Sequence, residues 1–565
     1  DNSGADNSPD DLYGDFGTNG NEAGSGRDRL FGQGGNGRLF GEGDDDFLDG
    51  GTGTDDRLDY GPGESGNPTD FVPPPPTPDP TPQPATGIRA ALSSLPVGIL
   101  EPGRWGELFG SATGLGLSGD PGQSIEPAIV ADATGPFVVW SDNRTGNFEI
   151  YVARQTAAGW QELAGSAHDG GISATAGASR RPSVALNAAG NPIVAWTEIS
   201  GTSSDIRVAQ YDPTANGGVG AWVALGNSLA AGAISGTGTA DSAFVVMAAG
   251  GPVVAWLDRT GGVANVYVRQ FSGEQWNPLG GGSASGSGVS LSTSDVSELA
   301  LATDGAKVAV AWRQSVSGVG EIYLREFSGG SWQALAGSAS GGGISNTPGN
   351  SAAPSLAYLA SSLFAAWQDD TSGPREIYAS KFNGAAWIAA GTGATSGGGI
   401  SNTHGAATRS QLAVGGGKLR LLWTDDRVAN LTGNTIALYA KAWNGTAFAE
   451  ELATDARARG ISASGGLVQG IAVAVDPAGH PFVAWQDLSA GQPEIYLRGN
   501  RVDLNHIYYV NDDTIDGDTF TTTAGAAGNS GQSPSLPKPS VQAVLDAYTL
   551  GLGDVILVDA GSYDD

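Results

Sequence analysis

Short apolar runs that end in tryptophan recur through the middle of the chain at intervals of 55 to 62 residues. Examples are PFVVW at 136–140 and PFVAW at 481–485. The tryptophans are Trp140, Trp196, Trp256, Trp312, Trp367, Trp423 and Trp485. Runs of this length between turn residues are typical of buried β-strands. The spacing therefore predicts seven structural repeats.

Each repeat contains three further strand-like segments. A tyrosine-containing run such as EIYVAR at 149–154 follows the tryptophan, and a shorter segment such as GWQELAG at 159–165 comes next. A glycine-rich loop that ends in GIS or a variant leads to a segment such as PSVAL at 182–186, which opens the next repeat. Alternating polarity and frequent turn residues predict four short strands per repeat. Four-stranded units repeated seven times are typical of a β-propeller, in which stacking buries both faces of each blade.

The seventh repeat lacks its last strand. It leaves the pattern at Asn500, whereas GRWGELFGSATGLGLS at 103–118 is a last strand and loop with no repeat before it. We expect the strand around Trp105 to complete the blade of Trp485, since such a Velcro closure removes two open sheet edges. The predicted fold is all-β, with a seven-bladed β-propeller over residues 103–500 whose tryptophans and tyrosines fill the space between blades.

An acidic residue follows the tryptophan by two positions in six of the seven repeats, and a glutamate often precedes Ile-Tyr. The acids after tryptophan are Asp142, Glu198, Asp258, Asp369, Asp425 and Asp487, with Gln314 as the exception. A feature repeated in nearly every blade is typical of architecture, so we predict that these acids cap turns. The alternative is that tryptophan, arginine and glutamate form repeated sugar sites between blades, as in multivalent lectins.

These repeats resemble bacterial extracellular propellers of the sialidase-like or lectin-like kind. The chain departs from the sialidase pattern, however, because the Asp-box S-x-D-x-G-x-x-W is absent and the arginines form no recognisable set. We therefore expect no sialidase-type catalytic centre in the repeats. The four histidines have no metal-ligand spacing, and no nucleotide-binding motif occurs. We therefore predict no catalytic residues and no organic cofactor.

Residues 1–61 carry a shorter repeat, in which leucines are spaced nine, nine and ten residues apart. The segments GQGGNGRLF at 32–40 and GEGDDDFLD at 41–49 resemble the RTX (haemolysin-type) nonapeptide. The resemblance implies a parallel β-roll that binds Ca²⁺ through oxygen ligands in its turns. The implied metal ligands are Asp28, Asn36, Asp44, Asp46 and Asp55. The alternative is a disordered Gly/Asp linker.

Residues 62–102 form a Pro/Thr-rich linker, which we predict to be an extended spacer. Residues 501–565 resemble the start of a right-handed parallel β-helix of the pectate-lyase-like class, with the remaining coils expected in a longer chain. The segments that resemble this class are YYV at 508–510, SPSLPKPS at 533–540 and GDVILVDAGSY at 553–563. The resemblance implies a short capping helix from about Ser540 to Tyr548. Ser540 is its expected N-cap, and Val541, Val544, Leu545 and Tyr548 are expected to share one face.

Composition narrows the functional classes. The chain has 90 glycines among 565 residues, no cysteine and a net charge of −31, with 17 acidic and four basic residues among the first 70. Disulfides and thiol catalysis are excluded, and the acidity disfavours binding to nucleic acid or anionic membranes. No apolar run is long enough to span a membrane. These features suit a secreted or cell-surface bacterial protein.

The function predicted from the sequence is that of a non-catalytic extracellular structural or adhesive protein, one part of a large multidomain chain. Its expected partners are glycans or other surface and matrix proteins, and self-assembly is also open. The alternative is a carbohydrate-active protein: either a glycan-binding lectin propeller or a polysaccharide-degrading enzyme with its active site in further β-helix coils.

Overall fold

The computed structural model describes residues 105–563, except 113, 120–121, 157–158, 404, 428–435, 452–459, 463–465, 501–506, 516–517, 519 and 549–554, together with six short strands between residues 11 and 66. The chain divides into two units, Asp1–Thr86 and Gly87–Asp565. In the described part of the chain, no helix is long and apolar enough to cross a membrane.

The described strands of the first unit form two three-stranded parallel sheets. They are β1 (Asp11–Tyr13), β2 (Arg29–Phe31), β3 (Arg38–Phe40), β4 (Phe47–Asp49), β5 (Arg57–Asp59) and β6 (Ser65–Gly66). Alternate strands share a sheet, in the orders β1-β3-β5 and β2-β4-β6. The register pairs Leu30 with Leu48 and Leu39 with Leu58. The leucine repeat of the sequence therefore coincides with the strand repeat of the backbone.

Seven four-stranded antiparallel sheets make up the blades, and the first four follow one another in chain order. Blade 1 is β8 (Ser124–Ala131), β9 (Pro136–Asp142), β10 (Glu149–Thr156) and β11 (Gly159–Gln161). Blade 2 is β12 (Ala178–Leu186), β13 (Pro192–Ser200), β14 (Ser203–Asp212) and β15 (Ala221–Ala224). Blade 3 is β16 (Ala240–Ala248), β17 (Gly251–Asp258), β18 (Asn265–Ser272) and β19 (Gln275–Pro278). Blade 4 is β20 (Val296–Thr303), β21 (Val308–Val316), β22 (Val319–Ser328) and β23 (Ser331–Gln333).

The last three blades continue the pattern, and the seventh takes its outer strand from the beginning of the propeller. Blade 5 is β24 (Ser351–Leu359), β25 (Ser362–Asp369), β26 (Glu376–Phe382) and β27 (Trp387–Ala389). Blade 6 is β28 (Ala407–Gly415), β29 (Lys418–Asp425), β30 (Ala437–Trp443) and β31 (Phe448–Ala449). Blade 7 is β32 (Val468–Val475), β33 (Pro481–Asp487), β34 (Glu494–Gly499) and β7 (Gly106–Glu107). The seven-bladed β-propeller is therefore confirmed.

Apolar side chains fill the junctions between successive blades. At the junction of blades 4 and 5, Ile322 packs in one cluster with Trp367. At the junction of blades 7 and 1, Phe482 packs with Trp140, which closes the ring. Each of the seven repeated tryptophans is at most 2% exposed, and truncating such a side chain to alanine costs about 3–5 kcal/mol. The expectation that aromatic residues fill the space between blades is confirmed.

The strand around Trp105 closes the propeller. Strand β7 pairs antiparallel with β34, and the register places Glu107 opposite Arg498. Trp105 and Leu108 are both buried, the first against blades 6 and 7 and the second against blades 7 and 1. The Velcro closure predicted from the incomplete seventh repeat is confirmed.

The GIS motif is explained by a close approach between the glycine-rich loop and the third strand. Gly171 has φ +59°, and a Cβ there would overlap the carbonyl oxygen of Ile150. In blade 7 the equivalent glycine is Gly116, where a Cβ would overlap the carbonyl of Ile495. The hydroxyl of Ser118 accepts the N–H of Ile495 at 2.9 Å. The GLS sequence at 116–118 is therefore the seventh copy of the loop.

The remaining elements are α1 (Ala215–Gly218), β35 (Ile507–Val510), α2 (Val541–Ala547) and β36 (Val555–Val558). Strands β35 and β36 pair in parallel. The N-cap prediction is confirmed, because Ser540 Oγ accepts the N–H of Ala543 at 3.2 Å. Val544 is buried against Tyr508, but the prediction for Leu545 is wrong, since its side chain is 47% exposed. A two-turn helix on a two-stranded sheet contacts it along a narrow stripe, and Leu545 lies outside that stripe.

Deleting residues 103–112 should lower the melting temperature of the whole propeller, because β34 would become an open edge and the pockets of Trp105 and Leu108 would be empty. The measurement is thermal unfolding of the full chain by near-UV circular dichroism. Deleting residues 73–82 of the proline-rich segment is the length-matched control and should leave the transition unchanged. A 103–112 deletion that melts like the intact chain would show that the closure does not hold the ring together.

Candidate functional site

The acidic residue after each tryptophan is a buried hydrogen-bond acceptor. Asp142 Oδ2 accepts hydrogen bonds from Trp140 Nε1 at 3.1 Å and from Ser124 Oγ at 2.7 Å. Its Oδ1 accepts the backbone N–H of Arg144 at 2.9 Å, which fixes the turn after the strand. The turn-capping role predicted for the six acids is confirmed for five of them, whereas Glu198 accepts side-chain donors such as Trp196 Nε1. The N–H two residues further on is likewise bound by Asp258, Asp369, Asp425 and Asp487.

The alternative in which these tryptophans and acids form sugar sites is wrong. Trp140 is 2% exposed and Asp142 is fully buried, so a ligand reaches neither. Arg144 pairs with Asp142 at 2.6 Å and stacks over the ring of Tyr151 at 4.4 Å. Arg427 does the same with Asp425 in blade 6. These arginines complete the junctions between blades instead of presenting a binding surface.

A second set of buried acids begins the third strands and faces the first set across each junction. Between blades 5 and 6, Thr403 bridges the two sets: its N–H donates to Glu376 Oε1 at 3.1 Å and its hydroxyl donates to Asp425 Oδ2 at 2.9 Å. Two carboxyl groups are thus joined at a blade junction by one residue. Equivalent pairs are Asp205 with Asp258, Glu149 with Glu198, Glu321 with Asp369 and Glu494 with Asp142.

In two of these pairs, Glu321 with Asp369 and Glu494 with Asp142, the two carboxyl groups have opposite pKa shifts. Burial raises the pKa of Glu321 above its ordinary value, and it raises that of Glu376 to about 7. Burial also opposes ionisation of Asp369, but hydrogen bonds, led by that from Ser351, outweigh it and lower its pKa. In these two pairs the aspartate is therefore the more readily ionised member and the glutamate holds a proton more readily, which relieves the repulsion between two close carboxylates.

At the junction of blades 3 and 4, amides replace both acids. Asn265 stands where five of the other blades have Glu or Asp and blade 6 has Ala437, and its Oδ1 accepts the N–H of Ser292 at 2.9 Å. Gln314 replaces the acid after Trp312 and accepts its indole N–H at 3.4 Å. Both positions of this junction are therefore uncharged, so neither amide faces a carboxyl group across it.

The first strands of the blades surround the axis of the propeller. The first strands of successive blades adjoin one another, and that of blade 7 adjoins that of blade 1. Each of these strands has a β-bulge near its beginning. Bulges re-aim side chains and occur next to binding sites. The bulge residues with positive φ are Glu126, Arg181, Ser242, Glu298, Ala353 and Arg409.

In five of the bulges, a backbone N–H is bound by a side chain of the preceding blade. The N–H of Arg181 donates to Glu126 Oε2 at 2.7 Å, and that of Ala353 donates to Glu298 Oε2 at 2.7 Å. The N–H of Arg409 donates to Gln368 Oε1 at 3.1 Å. These contacts fix an uncommon backbone conformation. The ring of bulges around the axis is therefore a preorganised set of side chains and is the candidate functional site.

In blades 1 to 3, charged side chains of this ring pair with side chains of opposite charge. Glu126 accepts two hydrogen bonds from Arg180, at 3.0 and 2.9 Å, and Arg181 pairs with Asp241. By contrast, the first strands of blades 5 to 7 contain no acidic residue and a single cation, Arg409. Within the described residues, the guanidinium of Arg409 has no hydrogen bond or ion pair, and desolvation by surrounding residues lowers its pKa.

The bulge residues were not singled out by the sequence reasoning, although a signal was present. Glu126, Arg181 and Ala353 each precede a proline inside a first strand. Proline within a strand is confined to edges and bulges. These prolines therefore mark the positions of the bulges, where the direction of the side chains changes. Nothing comparable marks Arg409.

The predicted calcium ligands Asp28, Asn36, Asp44, Asp46 and Asp55 lie outside the described residues. Among the residues that are described, no group of three or more His, Asp or Glu side chains is arranged to hold a metal ion. Calcium binding therefore stays a prediction.

No protein-family model and no curated protein sequence matches the chain. Solved structures that resemble it include the Hadza microbial sialidase Hz136, at 13% identity and a TM-score of 0.34, over 53% of this chain and 63% of that one. The β-propeller domain of the trilobed protease from Pyrococcus furiosus has 9% identity and a TM-score of 0.36, over 67% and 93%. A thermostable family-43 glycoside hydrolase has 11% identity and a TM-score of 0.30, over 49% and 94%. These values make them distant neighbours, and no residue role is transferred from them.

Replacing Glu376 with glutamine should stabilise the protein above pH 7 and change it little near pH 5. The folded pKa of about 7 lies above the unfolded value of 4.5, so the folded state binds the extra proton and its stability falls as the pH rises through this range. The glutamine of the Glu376→Gln variant stays uncharged over this whole pH range, so the variant does not lose this stability. The measurement is the melting temperature of wild type and Glu376→Gln at pH 5 to 8.

The complementary variant is Asn265→Asp, which adds a carboxyl group to the neutral junction and should make the melting temperature more dependent on pH. Parallel pH profiles for wild type and Glu376→Gln would contradict the assignment of a retained proton to this junction.

Proposed function

We propose that the propeller is a non-catalytic glycan-binding module of a secreted or cell-surface protein, with its ligand at the axial ring of bulges. The observation that supports this most is the guanidinium of Arg409, which is exposed and has no partner among the described residues. The amide of Gln368 in blade 5 accepts the backbone N–H of Arg409, and Gln469 lies at the bulge of blade 7. Amides and guanidinium groups are the polar groups that orient small ligands through directed hydrogen bonds.

Binding is favoured over hydrolysis by the state of the carboxyl groups. A glycosidase of the common kind needs two carboxyl groups at the sugar, one of which holds a proton. At the ring, hydrogen bonds from Arg180 keep the pKa of Glu126 low despite burial, and Asp241 is paired with Arg181. The carboxyl groups with raised pKa, such as Glu376, are buried in the junctions. The proposed function is therefore the glycan-binding alternative predicted from the sequence, with the ligand at the axial ring instead of between the blades.

The full-length protein should bind a subset of glycans on an array and should release no reducing sugar from the glycans it binds. Binding by a denatured sample serves as the control for non-specific adhesion. If no glycan is bound, the glycan proposal fails. If reducing ends accumulate with time, the module is an enzyme and the non-catalytic part of the proposal fails.

We also propose that the N-terminal segment is an RTX-type β-roll that binds Ca²⁺. The alternating parallel sheets β1-β3-β5 and β2-β4-β6 support this, because stacked nine-residue turns require that order. The candidate ligand positions fall in the turns between these strands in the sequence. Their concentration of negative charge would repel in the absence of a cation.

Calcium should protect residues 1–66 of the full-length protein from limited proteolysis, and EDTA should reverse the protection. Asp46→Asn combined with Asp55→Asn should weaken it, because two charged oxygen ligands are removed. Asp70→Asn lies outside the repeats and is the control. Equal cleavage with and without calcium would favour the linker alternative.

The C-terminal residues are proposed to begin a right-handed β-helix. The parallel pairing of β35 with β36 and the capped helix α2 support this arrangement. The mutual packing of Tyr508, Val510 and Val544 gives such a coil a small apolar core.

A further inference from the structure

The axial ring contains two arginines in equivalent positions that differ in their surroundings. Arg181 in blade 2 and Arg409 in blade 6 are both bulge residues, with φ of +55° and +56°. The N–H of each donates to a side chain of the preceding blade. The two backbones are therefore held in the same way, although the acceptor is the carboxylate of Glu126 for Arg181 and the neutral amide of Gln368 for Arg409.

The blade that follows Arg181 supplies a carboxylate, and the blade that follows Arg409 does not. Arg181 pairs with Asp241, which precedes the bulge of blade 3 and lies opposite Leu257. The same position in blade 7 is taken by Gln469, next to Val468. The Oε1 of Gln469 already accepts a hydrogen bond from Gln486 Nε2 at 2.8 Å. Among the residues that the structure describes, Arg409 thus lacks the anionic partner that its counterpart has.

From this difference we infer that the ring binds an anionic group of a glycan, a carboxylate or a sulfate, with Arg409 as its cation and Gln368 as a neighbouring donor. The inference rests on the proposed glycan function and specifies the class of ligand. A guanidinium presents parallel N–H donors that match carboxylate and sulfate oxygens, and it stays charged at all physiological pH values.

Two further features favour a ligand at this place. Gln368 uses its Oε1 to hold the N–H of Arg409, and its Nε2 donates to no group among the described residues. The neighbouring bulges of blades 5 and 7 carry the small residues Ala353 and Gly470. The side of the ring that has the uncompensated charge is therefore also the side with the smallest side chains.

The test compares oligogalacturonate and a sulfated oligosaccharide with their carboxyl-reduced and desulfated forms, using the full-length protein and isothermal titration. Wild type should bind at least one anionic probe about tenfold or more tightly than its neutral form, as a charged hydrogen bond is lost with the anion. Which probe binds distinguishes carboxylate from sulfate. Arg409→Gln should abolish the preference, and Arg409→Lys should retain part of it.

Gln469→Asp is the sharper variant, because it copies the Asp241 position into blade 7 and supplies an internal partner for Arg409. It should also abolish the preference for the anion. Arg259→Gln changes an exposed arginine that already pairs with Asp295, and it should bind like wild type. Melting temperatures of all variants check that the fold is retained.

The outcomes separate this inference from the proposed function. Glycan binding with no preference for the anionic form, or a preference that survives Arg409→Gln, overturns the anion site and leaves the glycan function standing. Binding to no glycan, anionic or neutral, overturns both.

Discussion

The propeller depends on hydrogen bonds that join the buried acids of one blade to those of the next. A single threonine such as Thr403 donates its N–H to one blade and its hydroxyl to the other. Burying two carboxyl groups side by side is costly unless one is neutral and both are hydrogen-bonded. The opposite pKa shifts of Glu321 and Asp369 show how this cost is limited. Each such junction therefore contains a hydrogen-bonded network of two buried acids and a bridging residue, surrounded by apolar clusters. We call this network the polar lock.

The repeated sequence motifs are consequences of this lock. In the blades that have the acid, the serine of the GIS loop accepts the N–H of the third strand and donates to the acid beside it, as Ser173 does with Ile150 and Glu149. The glycine before it is required because the loop touches the strand's carbonyl. A loop that lacked the glycine would move away, and the serine would lose both contacts. The Gly-x-Ser sequence of the loop and the hydrogen bonds of the junction therefore depend on each other. Residues 116–118 repeat this sequence because blade 7 forms the same kind of junction.

Much of the fold was predictable because it is governed by local patterns that repeat. The tryptophan spacing, the alternation along each strand and the missing outer strand of blade 7 are all visible in the sequence. The acids after tryptophan were correctly interpreted as caps, since a feature present in nearly every blade has to serve the blade. The axial ring was not predicted, because a bulge depends on pairing between strands and Arg409 lies in a segment that reads as regular. The exposure of Leu545 was missed for a related reason, since helix periodicity does not give the width of the surface that covers it.

In a repeat protein, positions that all repeats share are explained by stacking, so positions where the repeats differ are the places to look for function. The junction acids recur in most blades: Asn265 and Gln314 replace both acids of one junction, and Ala437 replaces a single acid in blade 6. The axial ring follows no such rule: its residues vary from glutamate to arginine to alanine although the bulge itself recurs in every blade. The backbone is thus held constant while the side chains are free to differ. Blades 1 to 3 use that freedom to neutralise one another, through Glu126 with Arg180 and Asp241 with Arg181. In blades 5 to 7, by contrast, the guanidinium of Arg409 has no such partner among the described residues, and this difference between otherwise equivalent positions is the basis of the proposed anion site.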